Sequence, residues 1–196
     1  GKSFLALQIA IGVALGRAIG QGPGGEIFAT PKKGATACIF GEDPPEILQE
    51  RLYGIRQDLF PDDITAADKS VEFVSAIGED LRIIQKGRNG QLLPGPFASH
   101  LKDLAVGKRL VVLDPLVQLI TGCNENDNGE MTYFMRTLAA IAEQTSSAIV
   151  VLHHVGKTRE GAGEWEQSRG ASAFTTNARL QLNLRPPNTR ECADLG

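Results

Sequence analysis

The first three residues of the chain, Gly1-Lys2-Ser3, have the chemistry to bind a phosphate group. They lead directly into FLALQIAIGVALGRAI, an apolar segment that predicts a buried helix. They match the second half of the pattern G-x-x-x-x-G-K-[ST], in which the Lys ammonium reaches the β- and γ-phosphates and the hydroxyl ligates Mg²⁺. The helix N-terminus adds unpaired N–H groups that favour an anion. The sequence therefore predicts a phosphate site here, with the glycine-rich first half of the pattern expected before residue 1.

Asp114 is a candidate metal ligand because it ends the apolar segment RLVVLD. A carboxylate that follows four apolar residues is costly to bury without a cation or a hydrogen-bond donor. It could hold Mg²⁺ through water beside the Ser3 hydroxyl. Alternatively, it could cap the helix that Pro115 would begin. Both interpretations place Asp114 at the carboxyl end of a strand, where open parallel sheets bind their ligands.

Glu42 and Asp43 follow another β-prone segment, TACIFG. A glutamate at this edge can act as the general base that activates water for attack on a γ-phosphate. The segment Gly-Glu-Asp-Pro-Pro also suits a simple strand-to-helix turn, with Asp43 as the N-cap. We expect Glu42 to be catalytic, and Asp43 to be either structural or close to the bound Mg²⁺.

His153 and His154 end the segment SAIVVLHH. Neighbouring residues of a strand point to opposite faces, so the two side chains cannot serve one site in the same way. One could contact the γ-phosphate while the other packs inside. Metal ligation is the weaker alternative, because His100 is the remaining histidine and no Cys or Glu partner stands at ligand spacing.

Basic residues supply two further hypotheses. Arg51, Arg169 and Arg179 could be solvated surface residues, or an arginine on a late strand could reach a nucleotide bound by a neighbouring subunit. The segment 156–168 combines charges with one aromatic residue, a composition that could bind single-stranded nucleic acid or form a plain surface loop. Its candidate contacts are Lys157, Arg159 and Trp165.

Strand-like and helix-like segments alternate, which predicts a parallel α/β sheet within one domain over residues 1–196. Helices are expected over 3–19, 44–59, 96–107 and 131–145, and strands over 36–43, 70–76, 108–114, 147–154 and 178–184. Residues 77–95 are expected to be a surface excursion. The first helix is too short and too polar to span a membrane, and a reducing cytoplasm suits three cysteines without CxxC spacing. The net charge of −3 leaves the partner open.

Six segments resemble, in order, successive motifs of the RepA-like plasmid replicative helicases, which are RecA-fold ATPases often grouped with the AAA family. They are GKSFLALQIA, IFGEDPPEILQERLYG, RLVVLDPL, AIVVLHHVGK, SRGASAF and TTNARLQ. This resemblance spans about residues 1–184. It implies a RecA-like P-loop core in which a mostly parallel sheet is flanked by helices on both faces. It also implies that the first strand precedes residue 1 and that the natural chain continues past residue 196.

The same resemblance implies a ring-shaped hexamer that hydrolyses ATP with Mg²⁺ at its subunit interfaces and translocates on single-stranded DNA. Lys2 and Ser3 would bind phosphate and Mg²⁺, Glu42 would activate water, and Asp114 would be the metal-site carboxylate that ends the strand. Segments 122–130 and 156–168 stand where RecA-fold proteins place their DNA-facing loops.

Three further roles follow from the resemblance. His154 resembles the γ-phosphate sensor, and Arg179 resembles the arginine finger that reaches the adjacent subunit. Arg51 is a second basic candidate near the interface. Two alternatives use the same pocket: a recombinase-like or KaiC-like regulatory ATPase, and a nucleotide-binding module without turnover. Because the backbone N–H cradle of the loop would precede residue 1, the 196 residues alone are expected to bind ATP poorly.

Overall fold

The computed structural model describes residues 1–22, 25–28, 32–59, 69–154 and 172–184. Its helices are α1 (Lys2–Leu15), α2 (Pro45–Leu59), α3 (Phe97–Ala105), α4 (Leu116–Leu119), α5 (Asn128–Thr145) and α6 (Ser172–Asn177). Its strands are β1 (Ile19–Gly22), β2 (Gly25–Phe28), β3 (Thr36–Phe40), β4 (Val71–Ser75), β5 (Ile84–Lys86), β6 (Leu92–Pro94), β7 (Leu110–Asp114) and β8 (Ala148–Val151). None of these helices is long and apolar enough to cross a membrane.

The central sheet has four parallel strands in the order β4-β3-β7-β8. Its register pairs Phe40 with Asp114 on one side and with Ser75 on the other, so the carboxyl ends of three strands lie level. Two antiparallel hairpins, β1-β2 and β5-β6, stand beside it. The expectation of a parallel α/β sheet is confirmed.

Helices cover both faces of the sheet because its two central strands are apolar at nearly every position. In β3 and β7 all five residues are buried, and successive side chains alternate between the faces. Cys38, Phe40 and Val112 pack with α1 and α2, whereas Ile39 and Val111 pack with α3, α4 and α5. The expected arrangement of helices on both faces is therefore also confirmed.

Helix α1 follows from a run of apolar residues that is closed by a glycine. Its buried side chains include Leu7 and Ile11, which enter the core beneath the sheet. Gly16 ends the helix in the left-handed conformation, with φ of 70°, which a residue without a Cβ adopts at little cost. The last helical residue is Leu15, so the helix predicted over 3–19 extends four residues too far at its C-terminal end.

Two strand predictions at the end of the chain need correction. The segment 147–154 was expected to be a buried strand, but β8 is an edge of the described sheet and its side chains alternate between exposed and half-buried. The predicted strand over 178–184 is irregular, and its alternating Leu180, Leu182 and Leu184 are exposed. Alternation alone does not form a strand, since the backbone must also find a neighbouring ladder.

The segment 77–95 is more than a surface excursion. It contains the β5-β6 hairpin, and Ile83 and Ile84 are fully buried against the core. Helix α5 begins at Asn128, three residues before the predicted Met131, because the side chain of Asp127 accepts the N–H of Glu130 and caps the helix. Helix α6 was not predicted by the sequence pattern.

Glu130 ties the start of α5 to its surroundings. One carboxylate oxygen lies 2.7 Å from Nζ of Lys86, and the other accepts the N–H of Asn124 at 2.7 Å. Burial alone would raise the pKa of Glu130, but the hydrogen bonds from Lys86 and Asn124 outweigh it and hold that pKa below its ordinary value. The ionised form is therefore stabilised in the folded protein.

We predict that core truncation in α2 destabilises the fold far more than truncation on its surface. Ile55 is fully buried and Ile47, on the same helix, is 37% exposed. Ile55→Ala should lower the free energy of unfolding by about 2–5 kcal/mol, whereas Ile47→Ala should cost less than about 1 kcal/mol. Urea denaturation of the natural protein measures both values, and similar costs would contradict the assigned core.

A second prediction concerns the pH dependence of stability. The pKa of Glu130 is lower in the folded protein than in the unfolded chain. Its contribution to the free energy of unfolding is therefore fully present above the unfolded pKa of a glutamate and is lost as pH falls through the folded pKa. Glu130→Gln should therefore be less stable at neutral pH and should lose less stability on acidification than the natural protein. Urea denaturation at a series of pH values tests this. Glu143→Gln, at an exposed position of α5, is the control and should follow the natural protein. Parallel curves for all three proteins would contradict the prediction.

Candidate active site

The predicted site residues meet at the carboxyl edge of the central sheet. Asp114 ends β7, and its carbonyl oxygen accepts the N–H of Gly41 at 2.7 Å, directly after β3. A side chain at Gly41 would come within 3.1 Å of Gln118 and Leu81, which explains the glycine at this crossing. The two strand ends thus bring Glu42 toward Asp114, although the two residues are far apart in sequence.

Asp114 is a buried carboxylate with two polar neighbours. It is only 6% exposed. The hydroxyl of Ser3 donates to its Oδ2 at 2.6 Å, and Nε2 of His154 lies 3.6 Å from its Oδ1. These contacts offset the cost of burying a charge. The alternative role as a helix cap is wrong, because α4 has Pro115 at its N-cap and no side-chain capping hydrogen bond.

Lys2 lies at the first position of α1 and crosses to the end of β8. Its Nζ donates to the carbonyl oxygen of His153 at 2.8 Å. Gly1 is exposed at the N-cap, where its carbonyl accepts the N–H of Leu5. Among the described residues no side chain caps the N–H groups of this first turn. The ammonium and the helix N-terminus are therefore directed to the same edge that Asp114 occupies.

Asp43 and Arg51 form an ion pair beside this edge. The backbone carbonyl of Asp43 accepts the hydroxyl of Ser75 at 2.8 Å, so the end of β4 also fixes this turn. Its carboxylate is engaged with Arg51 rather than with the first turn of α2, which corrects the capping interpretation. Glu42, in contrast, is exposed and has no hydrogen bond or ion pair with the described residues.

Six of the predicted site residues line one pocket of about 210 Å³ together with Phe40. The lining residues are Ser3, Phe40, Glu42, Asp43, Arg51, Asp114 and His154. This volume is below the roughly 300–1,000 Å³ of sites that enclose a drug-sized ligand, and it suits a phosphate tail better than a whole nucleotide. Arg179 is exposed and does not line the pocket.

His153 and His154 take different directions, although both lie just beyond β8, which ends at Val151. The ring of His154 faces Asp114, whereas the ring of His153 faces Glu125 and packs edge-on against Phe174 of α6. Sequence reasoning did not identify Ser75 or Glu125 as part of this region. Ser75 could have been found from its place at the end of a predicted strand, but Glu125 carries no such signal.

The donor atoms of the pocket fit a magnesium ion. Mg²⁺ prefers oxygen ligands, retains several waters and is usually held by one or two carboxylates together with substrate phosphates. Ser3 and Asp114 offer a hydroxyl and a carboxylate side by side. Within the described ranges no group of three or more His, Cys, Asp and Glu residues could form an all-protein metal cage. The site therefore suits an ion completed by water and phosphate.

The structure describes one of the two segments that were predicted to face DNA. Segment 122–130 is described and presents Glu125, Asp127 and Glu130 without a basic residue. Segment 156–168, with Lys157 and Arg159, lies outside the described residues. So do Trp165 and Arg169.

A larger groove of about 480 Å³ lies away from this edge, between β6, α3 and α5. Its lining is mostly apolar and includes Tyr133, Ile141 and Arg136. None of the predicted site residues borders it, so the chemistry of the chain is concentrated in the smaller pocket.

Comparison with protein families agrees with this geometry. The family model described as "AAA domain" matches residues 1–160. The matched range contains every residue that lines the smaller pocket, as well as Gly1 and Lys2. Because the match covers most of the 196 residues, the chain belongs to the AAA domain family of P-loop nucleoside triphosphatases.

Proposed function

We propose that the natural protein is an ATP-hydrolysing motor of the RepA-like helicase type, which couples hydrolysis at subunit interfaces to movement along single-stranded DNA. Family membership supports the ATPase part of this proposal. The observation that carries it is the convergence of Ser3, Asp114, Glu42 and His154 on one pocket at the N-terminus of α1. A phosphate-binding helix end, a metal-site carboxylate and a carboxylate with no partner among the described residues are the parts that phosphoryl transfer to water requires.

The phosphate groups of ATP would be bound by Lys2 and by the N–H groups of the first turn of α1. The helix N-terminus favours negative charge, and the ammonium of Lys2 has three donors, so it can donate to phosphate oxygens while it keeps its carbonyl acceptor. The Ser3 hydroxyl and, through water, the Asp114 carboxylate would hold Mg²⁺. The positive charge of this ion would offset the charge on the phosphates. The role of this chain is to hold those two oxygen donors together in a buried position.

Glu42 is the proposed general base. Its carboxylate lines the pocket and has no partner among the described residues, so it is free to accept a proton from an attacking water. Asp43, one residue further on, is already engaged by Arg51 and is not available for that step. The neighbouring carboxylates thus have different roles because their contacts differ.

His154 and the arginines would complete the site. His154 lines the pocket beside Asp114, a place from which it can hydrogen-bond to a terminal phosphate. Arg179 is exposed, which suits a residue that acts on a nucleotide in the adjacent subunit of a hexamer. Arg51 borders the pocket and would add positive charge near the same interface.

Contact with DNA is assigned to segment 156–168 rather than to 122–130. Polyanions are bound by lysine, arginine and stacking aromatic side chains. Segment 156–168 has all three kinds, whereas 122–130 has only acidic charges. We also propose the cytoplasm as the compartment, in agreement with the free thiols of Cys38 and Cys123.

The proposed function predicts that single-stranded DNA stimulates ATP turnover. Turnover should be measured on the natural full-length protein with Mg²⁺, with and without a long unstructured oligonucleotide, alongside its oligomeric state with nucleotide. We expect a several-fold increase by DNA and a hexameric assembly. Turnover that is indifferent to DNA would favour a regulatory ATPase of the same fold, and a monomer with bound nucleotide would contradict the motor.

A further prediction separates ATP binding from ATP hydrolysis. Glu42→Gln removes the proton acceptor but no phosphate contact, so it should reduce kcat by at least about 100-fold and leave ATP affinity nearly unchanged. Glu46→Gln, at an exposed position in the first turn of α2, is the matched control and should retain turnover. Near-normal kcat in Glu42→Gln would show that another group is the base.

A further inference from the structure

A contact between the loop that precedes α5 and the end of β8 lies next to the phosphate-binding lysine. Nε2 of His153 is 3.4 Å from Oε2 of Glu125. That nitrogen is buried and makes no hydrogen bond to the described residues. An unpaired polar atom inside a protein is costly, so the carboxylate of Glu125 is the neighbour that can offset this cost.

The backbone of His153 serves the phosphate site directly. Its carbonyl oxygen accepts the ammonium of Lys2 at 2.8 Å, and the next residue, His154, places its ring 3.6 Å from Asp114. The imidazole of His153 is held on another side by the ring of Phe174, with centroids 5.7 Å apart. The ring and the carbonyl that contacts Lys2 belong to the same residue, so contacts that hold the ring also help to hold this part of the backbone.

The loop that carries Glu125 is braced by its own hydrogen bonds. The carboxylate of Glu130 accepts the N–H of Asn124, whose side-chain oxygen accepts the N–H of Asn126. The carbonyl of Asn124 accepts the N–H of Asp127. These bonds anchor the residues on both sides of Glu125. Its carboxylate is therefore presented to His153 from a fixed backbone rather than from a free surface loop.

We propose that Glu125 is a positioning residue for the phosphate site. Its contact with His153 fixes the end of β8, so that the carbonyl of His153 directs Lys2 and the ring of His154 stays beside Asp114. Glu125 does not touch the phosphate itself. This inference rests on the proposed function, because it concerns the same site, and it adds a residue that neither the motifs nor the pocket lining includes.

The test compares nucleotide affinity and turnover in the natural full-length protein. Affinity is measured with Mg²⁺ and a slowly hydrolysed ATP analogue, and kcat and KM are measured with ATP. Glu125→Ala should raise the Kd and KM by roughly 3- to 10-fold and change kcat by less than about twofold. A misdirected Lys2 would weaken the binding of ATP in the ground state and in the transition state equally, so the rate of the bound complex would change little. Glu125→Gln should recover most of the affinity, since its amide can still pair with Nε2.

Two comparisons exclude a merely structural effect. Glu79→Ala removes an exposed glutamate from the turn after β4 and should leave Kd and KM unchanged. His153→Phe keeps a ring against Phe174 but removes Nε2, so adding Glu125→Ala to it should cause little further loss. Effects that multiply in the double variant, or an unchanged Kd in Glu125→Ala, would overturn the inference.

The outcomes also separate this inference from the proposed function. A raised Kd in Glu125→Ala, in a protein that binds the analogue but never turns over ATP, would refute the motor and support the positioning role. DNA-stimulated turnover with an unchanged Kd in Glu125→Ala would support the motor and refute the positioning role. A natural protein that does not bind the analogue would refute both.

Discussion

The hydrogen bond from Ser3 to Asp114 joins the two halves of the candidate phosphate site, and the surrounding architecture makes it possible. A buried carboxylate is stable only where donors face it. Here a hydroxyl from the first turn of α1 and an imidazole from the end of β8 supply that environment. The same contact brings the N-terminus of a helix, which favours anions, beside an oxygen ligand suited to Mg²⁺.

The parallel register of the sheet is the constraint behind this contact. Because β3, β4 and β7 end at the same level, the residues that follow them project toward one edge. The carboxylates of two adjacent residues, Glu42 and Asp43, then have different contacts. Asp43 is paired with Arg51, whereas Glu42 lines the pocket and has no partner in the part of the chain that the structure describes. Membership of the AAA domain family gives this edge an expected chemistry, and the contacts distinguish the two carboxylates within it.

The loop before α5 connects the site to the other face of the sheet. Glu130 links it to the β5-β6 hairpin through Lys86, and Glu125 links it to the end of β8 through His153. All of its charges are acidic, whereas segment 156–168 also contains Lys157 and Arg159 beside its three glutamates. A loop of this kind is better suited to holding neighbouring groups in place than to binding a polyanion, since its charges would repel phosphates.

Much of the fold and most of the pocket could be predicted from the sequence alone. The runs TACIF and LVVLD are apolar at nearly every position. Strands of this kind must be covered on both faces, and the pattern therefore predicted the central parallel strands. Local motifs at strand ends also identified Ser3, Glu42, Asp114 and His154 as one group. Those features are short-range, and residue type and spacing are enough to reveal them.

Other features depended on which segments meet in space. The alternating leucines of 178–184 predicted a strand, but a strand needs a neighbouring backbone, and no pattern in the segment says whether it has one. Likewise, the sequence left Asp43 and Asp114 open between helix caps and site residues, and only the tertiary contacts of their carboxylates with Arg51 and Ser3 showed that neither acts as a cap. Glu125 has no local signature, because its relation to His153 arises from the packing of a loop against a distant strand end.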